Sequence, residues 1–135
     1  MQSLPAERIK LDLYKEAFRK YKKTLELKDN YVLAITNWGT NLGHLAKLTS
    51  ISNPKEAKSL YKEAFDKLEK AIEYGDDHYN LSCIYAIKGE KENALKHLDT
   101  TLSNKSQTID FIKKDKDWKD YLEDKDFMEL LEKYN

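Results

Sequence analysis

The chain has 135 residues, 40% of them apolar and 36% charged, with 24 Lys and Arg set against 24 Asp and Glu. That length and apolar share suit one domain with a continuous core, the balanced charge favours neither nucleic acid nor an anionic membrane, and four Gly with two Pro suit short-looped helices rather than a turn-rich β protein. The lone Cys83 excludes an intramolecular disulfide framework, no apolar run approaches the roughly 20 residues of a membrane span, and Met1 to Arg8 hold no signal-peptide core, so a cytoplasmic all-α chain is the default expectation.

Residues 11–29 open with Leu13-Tyr14-Lys15-Glu16-Ala17-Phe18 and continue through Tyr21 and Leu25, a helical stripe of apolar side chains. Residues 30–76 predict two helices. The first carries Tyr31, Ala34, Ile35, Trp38, Leu42, Leu45, Ala46 and Leu48 at helical spacing and ends in the polar stretch Thr49 to Ser52. The second carries Ala57, Leu60, Tyr61, Ala64, Phe65, Leu68, Ala71 and Ile72, with Asn53 as its cap, Pro54 in its first turn, Glu56 at the capping-box position and Gly75 as its stop.

These segments are copies of each other. The six residues Leu13 to Phe18 recur unchanged as Leu60 to Phe65, a displacement of 47, and Lys20, Lys23, Glu26 and Asp29 match Lys67, Lys70, Glu73 and Asp76. A structural unit has been duplicated. Residues 77–103 predict a shorter pair, over 78–88 and 91–103, with Leu81, Ile84 and Tyr85 facing Ala94, Leu95, Leu98 and Leu102 across a break at Gly89. Residues 104–135 change texture: Phe111, Ile112, Trp118, Tyr121, Leu122, Phe127, Leu130 and Leu131 predict short helices that cap the last open pair.

Taken together, these residues resemble the tetratricopeptide repeat family. Asn37-Trp38-Gly39 with Leu42, then Ala64, Leu68, Ala71 and Asp76, is similar to one repeat; Asn80-Leu81-Ser82 with Tyr85, Gly89, Ala94, Leu98 and Thr101 is similar to a second; Ala17, Tyr21 and Asp29 look like the helix B of an earlier one. The resemblance implies an all-α fold of antiparallel helix pairs stacked as a short right-handed superhelix with C-terminal capping helices. It also implies that Gly39, Ser82, Ala64 and Ala94 sit where paired helices approach closely. The repeat over 30–76 holds about 13 more residues than the family pattern, which predicts longer helices there. Only Met1 to Lys10 precede the first copy as its helix A.

In this family helix A lines the concave surface, which nominates Leu33, Thr36, Asn37, Thr40 and His44, then Tyr79, Asn80, Cys83 and Ile87, as residues that bind a partner and point away from helix B. Asn37 and Asn80 are equivalent, and a side-chain amide donates and accepts at once, matching an extended peptide backbone. Relatives that grip chaperone carboxylate tails need Lys and Arg beside such an Asn; Thr36, Thr40, His44 and Cys83 stand there instead, which argues against a carboxylate clamp. The implied function is an adaptor or scaffold for a protein or peptide partner, without cofactor, metal or catalysis. A dedicated chaperone of a secreted or membrane protein would use the same groove. Self-association would use Leu13, Ala17, Phe18 and Tyr21.

Chemical alternatives read weakly. His44, His78 and His97 fall on three predicted helices with no ligand at i, i+4, and Cys83 lies five residues from His78 with no third group to orient the ring. The carboxylates alternate with Lys as a solvated face, and Glu16 and Glu26 flank the basic cluster Arg19, Lys20, Lys22 and Lys23.

Overall fold

The computed structural model of the chain describes residues 5–135, and all regular structure among them is helical: α1 (Pro5–Leu27), α2 (Val32–Thr49), α3 (Pro54–Glu73), α4 (Tyr79–Lys88), α5 (Lys91–Ser103), α6 (Ile109–Lys114), a 3-10 turn (Lys116–Tyr121) and α7 (Lys125–Lys133). The chain divides into two compact units, Met1–Asp76 and Asp77–Asn135. No helix of the described residues is long and apolar enough to cross a membrane.

In the first unit, α2 and α3 form the main contact. Asn53 accepts from the Glu56 N–H at 3.2 Å and donates its amide to the Glu56 carboxylate at 3.0 Å, a cap worth about 1 kcal/mol that fixes where α3 begins. The stripe Ala57, Tyr61, Ala64, Leu68 and Ala71 is buried against Ala34, Ile35, Leu42, Leu45 and Ala46 of α2. Gly39 is the point of closest approach, because a Cβ there would meet Leu68 and the Ala64 carbonyl. Tyr31 and Trp38, expected on the α2 stripe, are exposed and half-buried. Trp38 instead lies beside the Phe18 ring at 6.4 Å and carries the Lys67 ammonium 3.8 Å from its centroid.

Helix α1 runs unbroken from Pro5 through Lys10 to Leu27. Residues 5–10 therefore lengthen the helix that carries the first hexapeptide copy and supply no helix A for it; Met1 to Leu4 of that expected element lie outside the described residues.

In the second unit, α4 and α5 pair antiparallel around Gly89, whose φ of 92° is open to glycine at no steric cost and lets Glu90 N–H bond back to the Tyr85 carbonyl at 2.9 Å. The tail is cut into short pieces by three side-chain caps: Thr108 accepts from Phe111 N–H, Asp115 from Asp117 N–H, and Asp124 from Phe127 N–H. Its apolar residues Ile112, Trp118, Tyr121, Phe127 and Leu131 join Tyr79, Cys83, Ala86, Ala94, Leu98 and Leu102 in one core. The tail thus packs on α4 and α5.

Candidate interaction site

Helix α2 presents Leu33 at 59% exposure and Asn37 exposed, with Thr40 and His44 half-buried along the same row. Thr36 departs from the expectation. It is buried, and its hydroxyl donates to the Asp76 carboxylate at 2.5 Å; because Asp76 lies in the loop that follows α3, Thr36 points toward the end of α3 and ties the two helices together.

On α4, Asn80 and Ile87 are half-buried, but Tyr79 and Cys83 are not surface groups. Tyr79 is 6% exposed and its hydroxyl donates to Asp115 Oδ2 at 2.7 Å, while the Cys83 thiol stands 4.0 Å from the same oxygen. Asp115 lies between α6 and the 3-10 turn, and that turn packs on α4. The capping elements therefore cover the face that was expected to meet a partner, and Tyr79 and Cys83 serve the interior.

Cys83 Sγ and the Asp115 and Asp117 carboxylates have oxygen and sulfur atoms within 4.8 Å of one another, a spacing that could in principle gather a cation. Burial, then the charges of Asp115 and Asp117, push the thiol well above its ordinary range, so with no cation bound it keeps its proton. Both Asp115 oxygens are already accepting, one from Tyr79 O–H and one from Asp117 N–H. Burial likewise raises Tyr79, with the Cys83 and Asp115 interactions adding to it. The cluster binds cap to helix through neutral donors.

The structure also brings together residues that were expected to stand apart. His78, just ahead of α4, and His97 of α5 meet with their Nδ1 atoms 3.0 Å apart, and Tyr85 stacks on the His97 ring at 5.6 Å. The spacing alone did not signal this pair: His78 lies 11 residues before Gly89 and His97 lies 8 after it, so a simple hairpin count does not set them level.

In the first unit, Lys10, Leu13, Tyr14, Ala17 and Asn41 line an open hollow of about 400 Å³. Tyr21 is pinned to α2 by the Asn41 amide, which donates to its hydroxyl at 3.0 Å. Arg19, Lys20, Lys22 and Lys23 are all exposed, with Lys20 3.6 Å from Glu16. Another hollow, of about 460 Å³, includes Ile109, Leu122, Phe127, Met128 and Leu131 in its lining.

Comparison of the chain with protein-family models, curated proteins and solved structures returned no match.

Proposed function

We propose that this chain is a tetratricopeptide-type repeat module that binds a protein or peptide partner on helix-A surfaces and carries out no covalent chemistry. The observation that carries the reading is the duplicated hexapeptide together with the way its second copy is used. Ala64 and Leu68 press against Gly39, a small-residue contact of the kind the family places between its paired helices, and Ser82 and Ala94 are buried in the next pair. The finer architecture, pairs stacked as a right-handed superhelix, belongs to this proposal. So does the absence of a cofactor.

The surface available for binding is narrower than the residue pattern implied. Leu33 and Asn37, followed by Thr40 and His44, give α2 an exposed apolar anchor beside an amide, and Asn80 and Ile87 give α4 a smaller patch. An amide that both donates and accepts suits a peptide backbone, and a solvent-exposed leucine beside it suits an apolar side chain of the partner. A test uses affinity capture from the source cells with the intact chain and with Leu33→Ser/Asn37→Ala, whose side chains touch no core. Loss of a saturable partner in the folded variant supports the surface. Equal capture by both chains removes it.

Self-association is a second reading, favoured by one specific observation: Leu13 is 61% exposed at the rim of the hollow in α1, whereas its repeat equivalent Leu60 is half-buried. Sedimentation of the chain and of Leu13→Glu separates this from partner binding, since a concentration-dependent dimer abolished by the substitution would assign the face to a second copy.

A further inference from the structure

The His78 and His97 rings meet nitrogen to nitrogen along one line. Their centroids are 5.2 Å apart while the two Nδ1 atoms are 3.0 Å apart, and the planes differ by 20°. The centroid separation exceeds the nitrogen separation by nearly the whole of both ring radii. That is close to the largest excess geometry allows, so the rings are edge to edge and close to coplanar rather than face to face. At 3.0 Å this is an N–H···N hydrogen bond. A neutral imidazole has one donor and one acceptor nitrogen, so one ring carries its proton on Nδ1 and the other on Nε2.

We infer that the His78–His97 pair is a pH-operated latch between the start of α4 and the middle of α5, closed while one proton lies between the two Nδ1 atoms and opened when both rings are protonated. With both rings charged, each Nδ1 becomes a donor, so two N–H groups face each other head-on and two positive charges adjoin. The hydrogen bond cannot survive that state.

The groups around the pair carry charges of both signs. From α4, Tyr85 covers the face of the His97 ring; from α5, Lys96 adds a further positive charge beside it. Asp77, ahead of α4, already accepts from Tyr79 N–H at 3.0 Å and Thr101 O–H at 3.1 Å. From α7 and the residue after it, Lys133 and Tyr134 are paired with Asp99. Burial, then His78 and Lys96, hold His97 below the ordinary histidine range. A folded-state pKa below the unfolded one means that the unfolded chain takes up the proton first as pH falls through about 6.5, so stability is complete above that value and is lost below it.

Asn80 and Ile87 ride on α4, so an open latch also displaces the α4 patch proposed above. That consequence rests on the function proposed above; the latch itself does not, and its test uses no partner. The ring nitrogens of the intact chain are followed by NMR from pH 8 to pH 5, with His78→Phe and His97→Phe alongside. The expected result is one Nδ1–H and one Nε2–H tautomer at pH 8, and a His97 midpoint that rises in His78→Phe. Between pH 7.5 and 5.5 the unfolding equilibrium constant should grow on the order of fivefold to tenfold more in the native chain than in His97→Phe. Two Nε2–H tautomers in the native chain, or an unchanged His97 midpoint with equal acid sensitivity, would overturn the latch. Should neither variant fold, the tautomer pattern of the native chain decides alone.

Discussion

A Cβ placed on Gly39 would stand 2.8 Å from Leu68 Cγ and 3.2 Å from the Ala64 carbonyl oxygen, so α2 and α3 meet at a separation that only glycine permits there. Gly39→Ala would gain about 1 kcal/mol of helix propensity and lose about 1–3 kcal/mol to overpacking, for a net destabilisation. Leu68→Ala alone should cost about 2–5 kcal/mol. In that background the Gly39→Ala penalty should shrink, and a denaturation double-mutant cycle measures the coupling. Additive losses would show that the two helices part without strain.

Thr36→Val keeps shape and removes one donor to the Asp76 carboxylate. A hydrogen bond to a charged group contributes about 1.5–3 kcal/mol, and the chain should lose on that order in urea unfolding. Leu33→Ser and Asn37→Ala, on exposed positions of the same helix, should stay within about 0.5 kcal/mol of the native chain. Equal losses at all three sites would contradict the burial pattern that separates Thr36 from the proposed binding surface.

Trp118 is fully buried between Tyr121 and Phe127, with ring centroids 5.4 and 5.3 Å away. Trp118→Ala should cost about 3–5 kcal/mol and loosen the tail from α4 and α5. Amide exchange would show the effect as faster exchange in α4 to α7 of the second unit. Its indole N–H has no partner at ordinary hydrogen-bond distance among the described residues and faces only the weakly accepting Cys83 sulfur, so Trp118→Phe removes volume without stranding a strong polar group.

Lys91 reaches Asp124 at 2.8 Å and Asp126 at 2.7 Å, bridging the start of α5 to the start of α7. Its hydrogen bond to Asp124, followed by the Phe127 N–H, holds that carboxyl below its ordinary range. A depressed folded-state pKa gives stability that is present above the unfolded value and lost as pH falls through the folded one. Lys91→Met should therefore raise the Asp124 midpoint in a carboxyl NMR titration and flatten the acid side of the stability profile. An unmoved midpoint would mean that the Phe127 N–H does the holding.

Tyr79 and Cys83 illustrate what could not be read along the chain. Their helix and their place in the row Tyr79, Asn80, Cys83 and Ile87 were legible, but whether that face is open depends on where residues 109–121 come to rest. The N-caps at Thr108, Asp115 and Asp124 break the tail into short helices, and the short segments fold back so that Trp118 reaches the α4 core. The same holds for Thr36, which periodicity puts beside Asn37 and which the Asp76 carboxylate draws into the helix junction.

By itself the sequence determined the helical class, the duplicated unit, the start of α3 at Asn53 and the break at Gly89, because spacing, caps and glycine's backbone freedom act over one or two turns. The tertiary structure alone decided which candidate residues of α2 and α4 remain on the surface, that Trp38 meets Phe18 and Lys67, and that His78 and His97 share a hydrogen bond. Those outcomes rest on contacts between residues 19 or more positions apart, where burial and pairing depend on how whole helices meet and no local pattern encodes the result.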